Sequence, residues 1–445
     1  MKISNERLHM SNLLHLSPGD FIDFLKKEEI QRFHFVYDES ARKLISSHSA
    51  LQPIAEQILA NKRDFDAHEG LFFQVTHEYP TLQGAFVHRT NRGQAAGGTR
   101  FWPYATVGSF LEDGLRLARG MTYKNALAGL WWGGGKGIIV RNPQHDHFDP
   151  AVRQSLFREY GEFMSALRGC YVTAEDVGTN TDDIDQIFKK TRFTTCISPA
   201  LGGSGNPSVP TALGVVRGME AALHFLGEGT LAGKTIAVQG VGNVGQPLIQ
   251  YLFESGVGKV IATDISERNV ESCKKRFAGK PLEARTVAKD DHSILNTACD
   301  ILAPCATGAI LNPTTIPGIR AKVICGAANN QLEDGERDDR ALFDHGIIYV
   351  PDFLVNRMGI VNCANEQYGY IANDPLKNQH LNKDWDKSIY QMTVHVLSLA
   401  KEKGLTPGAS AQKVAAELSR ENHPILGHRG QQIIDSLVAD HWYEQ

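Results

Sequence analysis

The chain has 445 residues, 42% hydrophobic and 22% charged, with a formal net charge of −4. That composition excludes wholesale disorder, and the length predicts two or three domains of about 100–200 residues each. The small net charge argues against nucleic acid as a partner. Seven cysteines, scattered and without a CxxC pair, argue against a disulfide framework and against a metal site.

In chain order, the N-terminal residues carry charges at Lys2, Glu6 and Arg7 and no long apolar run, which is unlike a signal peptide. No unbroken run of about 18 apolar residues occurs, so no transmembrane helix is expected. Reduced thiols then suit a cytoplasmic protein. Ser17-Pro18-Gly19-Asp20 opens a short helix with Phe21, Phe24, Leu25 and Ile30 on one side. Residues 1–60 show no chemistry and are taken as an N-terminal extension of unknown role. The aromatic run 70–87 predicts a strand hairpin turning at Glu78-Tyr79-Pro80. Leu111, Leu115 and Ala118, then Val152, Leu156, Tyr160, Phe163 and Leu167, mark two amphipathic helices. Beyond residue 200 short apolar runs (235–238, 259–263, 300–303, 321–325, 347–350) alternate with helix-compatible stretches such as 244–254 and 266–277. That alternation predicts an α/β fold whose mostly parallel sheet is covered on both faces. From Trp385 onward the tail is helical, with a break at 404–408.

Gly240-Val241-Gly242-Asn243-Val244-Gly245 follows a predicted strand and opens a predicted helix, the context a dinucleotide loop requires. Its first glycine permits the tight turn, the second lets backbone approach a pyrophosphate, and the third lets helix and strand pack closely. The next strand ends at Asp264, 24 residues after Gly240. A carboxylate there bonds a ribose 2′-hydroxyl and repels a 2′-phosphate, which favours NAD over NADP.

The segment 121–143 carries Lys124 and Lys136, twelve residues apart, the second among glycines. It is not a P-loop: Leu130 stands where the first glycine belongs, and Gly137 follows the lysine. If the lysines converge, each lowers the other's pKa by repulsion, and partial burial adds to this. One lysine then serves as a general base while the other stays charged and holds an anion. Spacing alone leaves surface lysines on a glycine-rich loop equally open. Glu175-Asp176 is the candidate acidic partner, though such a pair before a glycine is more often a turn or a cap. His145-Asp146-His147 lacks further ligands at metal-binding spacing.

Taken together, several motifs in one order resemble the glutamate/leucine/phenylalanine/valine dehydrogenases, most closely the leucine branch. They are the run Ala96-Gly97-Gly98-Thr99-Arg100-Phe101-Trp102-Pro103-Tyr104, MTYKNALAGL with GGGK, YVTAEDVGT at 171–179, GGSGNPS at 202–208, the glycine loop, APCATGA at 303–309 and NEQYGY at 365–370. The resemblance implies NAD-linked, reversible oxidative deamination of an L-amino acid to a 2-oxo acid and ammonium. It implies that Lys136 activates water and that Asp176 moves protons at the amino nitrogen. Lys124 would bind the substrate carboxylate. Ala96, Gly97, Met121, Ala174, Asn356, Ile360 and Cys363 would surround the substrate. Thr211, Gly240, Gly242, Asn243, Val244, Gly245, Asp264, Cys305, Ala306 and Asn329 would line the cofactor. It further implies two domains around a cleft, an N-terminal α/β substrate and oligomerisation domain (61–198) and a Rossmann-type NAD domain (199–390), with C-terminal helices (391–445) returning to the first. A homo-oligomer is also implied.

Two departures bear on the substrate. The residue before Gly97-Gly98 is lysine in glutamate enzymes and usually leucine in branched-chain ones. Here it is Ala96, so a side-chain carboxylate has no ammonium to meet and extra volume is left. Arg357-Met358-Gly359 replaces the usual Ala-Gly-Gly beside Asn356, and either refills that space or reshapes the pocket. A branched-chain aliphatic substrate is favoured. Ala96 motivates an aromatic amino-acid dehydrogenase as the alternative. The altered 357–358 pair motivates a catalytically silent NAD-binding regulatory protein from a different class.

Overall fold

A computed structural model describes residues 13–445, so the leader reading of the first twelve residues lies outside it. Ser17 accepts the Asp20 N–H and Pro18 takes the first helical position, which starts α1 (Pro18–Lys27). Strands β1 (Arg32–Asp38) and β2 (Lys43–Ser46) and helix α2 (Gln52–Ala60) follow. The aromatic run forms the expected antiparallel hairpin of β3 (Gly70–Val75) and β4 (Leu82–Arg89), paired from Gly70↔Val87 to Val75↔Leu82. Next come β5 (Ala95–Ala96), β6 (Thr99–Trp102), α3 (Val107–Leu127), β7 (Gly133–Val140), α4 (Pro150–Ala166), β8 (Tyr171–Val172) and α5 (Thr181–Phe188). A Thr106–Ser109 capping box begins α3.

These strands make one eight-stranded mixed sheet in the order β2-β1-β3-β4-β7-β5-β8, with β6 also on β7. β5 and β6 both run parallel to β7, Ala95↔Gly133 and Thr99↔Gly137, so they are one strand interrupted at Gly97-Gly98. Residues 13–60 are integral to this half. β1 extends the sheet at β3, and Phe21, Leu25 and Ile54 share a core with Phe33, Phe73, Phe86 and Phe110.

The long α6 (Ser208–Leu226) leads into a second sheet. Its strands are β9 (Thr235–Gln239), β10 (Lys259–Asp264), β11 (Leu282–Thr286), β12 (Ile301–Pro304), β13 (Val323–Ile324) and β14 (Ile348–Tyr349), all parallel, in the order β11-β10-β9-β12-β13-β14. Ile236 and Val238 enter one core and Ala237 the other, so the sheet is buried on both faces as the apolar runs predicted. Helices α7 (Gly245–Glu254) and α8 (Glu267–Arg276) connect its first strands.

Then follow α9 (Met358–Gln367), α10 (Ile389–Lys403), α11 (Pro407–Leu418) and α12 (Arg429–Ala439). Gly404, at φ 64°, ends α10 in a left-handed cap where the sequence signalled a break. Ile434 and Leu437 of α12, with Trp442 beyond it, are fully buried in the core of the first sheet beside Phe72. No helix among the described residues is long and apolar enough to cross a membrane.

Candidate active site

Lys136 sits in β7 between glycines and is 3% exposed. β8 runs on into the segment carrying Asp176, whose Oδ2 lies 2.8 Å from Lys136 Nζ. The loop is held tight, since Thr179 Oγ1 accepts the Asp176 N–H (2.9 Å) and donates to the Asp176 carbonyl (2.8 Å). The interruption at Gly97-Gly98 is what lets the two strands close here. A Cβ at Gly97 would stand 1.9 Å from Gly135 O, and one at Gly98 2.4 Å from Glu175 O. Both backbone groups of Gly97 are already bonded, its N–H to Val172 O and its carbonyl to the Tyr171 hydroxyl.

A third charge completes the group. Arg100 Nε is 3.3 Å from Asp176 Oδ2, and its Nη1 donates to Asp113 Oδ2 at 2.8 Å. Tyr104 OH also donates to that Asp113 oxygen at 2.7 Å. Arg100 stands inside one of the motif runs, but the motifs assigned it no role, because its partner lies 76 positions further along. Burial alone would raise the Asp176 carboxyl, yet Lys136 and Arg100 outweigh it and hold it down at about 2. Burial also lowers the Lys136 ammonium below its ordinary 10.5, with Asp176 opposing and Arg100 adding repulsion. The sequence expected repulsion between the two lysines to lead. Burial leads instead, and the stronger repelling cation at Lys136 is Arg100.

Lys124 projects from the last turn of α3, and its Nζ donates to Asn329 Oδ1 at 3.3 Å. Asn356 Nδ2 donates to the same oxygen (2.8 Å) and to Ala327 O (3.1 Å). A lysine of the first half therefore meets an asparagine of the second, which a second asparagine holds in place. Burial lowers Lys124, buried Asp352 opposes this, and Lys136 reinforces it. Asp352 was absent from the sequence-based set. Thr211 is buried in the first turn of α6.

Ala96, Ala174, Ile360 and Cys363, drawn from three separate segments of the chain, share one buried apolar cluster, with Met121 at its edge. Trp132, Val172, Cys196 and Ala364 complete it, and none of the four was expected. Cys196 Sγ lies 3.2 Å from Cys363 Sγ, and all seven cysteines are free thiols. The expectation that Arg357-Met358 refills or reshapes this pocket is overturned. Met358 is buried in the main core of the second half. Arg357 is fully buried and turned away, with Nη1 on Leu127 O at 2.6 Å and Nη2 on Lys387 O and near His380 Nδ1. Its partners are carbonyls and an imidazole rather than a carboxylate, and burial pulls it down to about 9.

The glycine loop joins β9 to α7. Gly240 has φ +92°, and a Cβ there would sit 2.8 Å from Ala306 Cβ. Nothing lies within 4 Å of a Cβ built on Gly242, while one on Gly245 would stand 2.0 Å from Gly240 O. Tight turn, open approach and close packing are thus divided among the three glycines as a pyrophosphate cradle requires. Asn243 is exposed and Val244 partly exposed, and Cys305 N–H bonds Gln239 O beside the loop. Asp264 closes β10, where its Oδ2 accepts the Val241 N–H and its Oδ1 the Ser266 N–H, each at 2.8 Å. A carboxylate keeps lone pairs for further donors after two such bonds.

Residues 75–193 match the family model described as Glu/Leu/Phe/Val dehydrogenase, dimerisation domain, and residues 202–422 match Glutamate/Leucine/Phenylalanine/Valine dehydrogenase. Leucine dehydrogenase of Bacillus subtilis (strain 168) is 45% identical over 332 residues, covering 74% of this chain and 85% of that protein. Valine dehydrogenase of Streptomyces coelicolor is 40% identical over 346 residues, 76% of this chain and 88% of the relative. Among solved structures, L-tryptophan dehydrogenase from Nostoc punctiforme superposes with a TM-score of 0.66 at 34% identity, covering 79% of this chain and 96% of that one. The chain belongs to the glutamate/leucine/phenylalanine/valine dehydrogenase family and is an amino-acid dehydrogenase.

Proposed function

We propose that the protein catalyses the NAD-dependent, reversible deamination of a branched-chain aliphatic L-amino acid to its 2-oxo acid and ammonium. The observation that carries this is the Lys136–Asp176 pair at 2.8 Å, together with the apolar cluster in which Ala96 and Ala174 of the first half meet Ile360 and Cys363 of the second. Bound NAD supplies the hydride acceptor. Lys124, whose charged form the Asp352 carboxylate favours against burial, holds the substrate carboxylate. Asp176, ionised at neutral pH, accepts a proton from the substrate ammonium. Lys136, lowered by burial, takes a proton from the attacking water and then steadies the developing carbonyl oxygen. The openness at Gly242 and the carboxylate of Asp264 support NAD as the dinucleotide.

The leucine and valine dehydrogenase relatives support the aliphatic substrate. The dimerisation-domain match supports a homo-oligomer, and seven free thiols suit the reducing cytoplasm. The deciding experiment incubates purified protein with NAD and a panel of aliphatic, aromatic and acidic amino acids. NADH should form fastest with leucine, isoleucine or valine. A preference for phenylalanine or tryptophan would replace the branched-chain assignment with an aromatic one, and NADH binding without any turnover would leave a silent binding protein.

A further inference from the structure

The apolar cluster holds one large side chain that no motif assigned. Trp132, the residue just before β7, is 2% exposed and packs with Ala96, Ala174, Ile360 and Cys363. The backbone explains its placement. β7 opens with Gly133-Gly134-Gly135, and no side chain fits at any of them. A Cβ at 133 would lie 2.1 Å from Arg89 O, one at 134 2.0 Å from Thr122 Oγ1, and one at 135 2.7 Å from the Tyr171 ring. Between Trp132 and Lys136 the strand therefore offers backbone only. On the neighbouring strand β5, paired in the register Ala95↔Gly133, Ala96 contributes only a methyl group.

We propose that Trp132 sets the size of the substrate side-chain pocket, filling the volume that the small Ala96 leaves open and so excluding aromatic amino acids. This rests on the branched-chain assignment above and names the residue behind it. An indole inside a close-packed cluster has few rotamers and no solvent to yield into, so it limits the pocket more firmly than a flexible side chain would. The adjacent Trp131 does a different job. It is 38% exposed and lies under the Arg92 guanidinium at 4.2 Å.

The test measures kcat/KM for leucine and for phenylalanine on the full-length protein and its variants. Trp132→Leu should raise the phenylalanine-to-leucine ratio at least about tenfold, the scale that a few methylenes of pocket volume command. Trp131→Leu should leave the ratio where it was. Adding Ala96→Leu to Trp132→Leu should bring the ratio back down, because the leucine refills the same space. If Trp132→Leu does not fold, Trp132→Phe should show a smaller shift in the same direction. A wild type that favours leucine, combined with an unchanged ratio in both Trp132 variants, overturns this inference and leaves the branched-chain assignment standing. A wild type that itself favours phenylalanine overturns both.

Discussion

Lys136 gains its reactivity from where it cannot go. It is buried, its neighbours in the strand lack side chains, and Asp176 and Arg100 fix the local charge. Replacing it with alanine should abolish turnover while NADH titration, followed by fluorescence, stays near wild type; wild-type turnover in that variant would refute its role. Because its pKa is lowered, the neutral base is present at pH values below 10.5, and kcat/KM for deamination should climb with pH along an acidic limb. Arg100→Met removes a repelling cation, so that limb should move to higher pH; a pH–rate profile that does not move would mean Arg100 leaves Lys136 untouched. Lys124, Lys136 and Asp176 could be picked out in the sequence because glycines and order flagged them. Arg100, Asp352 and Trp132 could not. Each owes its part to a neighbour far away in the chain, and a single arginine or tryptophan carries no periodic signal.

Among the elements, the turn after β9 shows how one carboxylate serves two ends. Asp264 bonds the Val241 N–H and the Ser266 N–H, so it braces the glycine loop in addition to the ribose role proposed for it. Asp264→Ala should relax the preference for NAD over NADP and also raise the KM for NAD. Steady-state assays with both cofactors check this, and an unchanged NAD/NADP ratio would show that the carboxylate does not read the ribose. Long amphipathic helices and the 70–87 hairpin were legible because their apolar residues repeat over several turns or pairs. β5 and β8 were not, being two residues each and too short to show a period, whereas the equally short β13 and β14 lay inside the apolar runs 321–325 and 347–350. β1 escaped for another reason. It carries strand-favouring Phe, Val and Tyr, but its place in the sheet is set by β3, which begins 32 residues after β1 ends (38 to 70).

At the level of the whole molecule, the cleft is joined from both sides. Lys124 reaches Asn329, and Arg357 ties the end of α3 to the loop before α10. The altered 357–358 pair, which in the sequence pointed at the substrate pocket, belongs to this joint, a distinction only the packing could make. The C-terminal residues complete the first half. Trp442 is fully buried beside Phe72 at 5.5 Å between ring centroids. Trp442→Ala should destabilise the protein by about 3–5 kcal/mol, read from chemical denaturation, because a cavity replaces the ring. A loss within about 0.5 kcal/mol, ordinary for a surface site, would mean the ring is dispensable.

That closure has a consequence for the order in which the protein comes into being. Phe72 and Val87 leave the ribosome early, but the core they enter also needs Ile434, Leu437 and Trp442. The first half therefore waits, with one apolar face open, while the second half, whose parallel strands lie between residues 235 and 349, is synthesised and can fold ahead of it. For this chain the N-terminal half is the last to finish, and the interval before residue 442 emerges is when its exposed face is most open to chaperone capture.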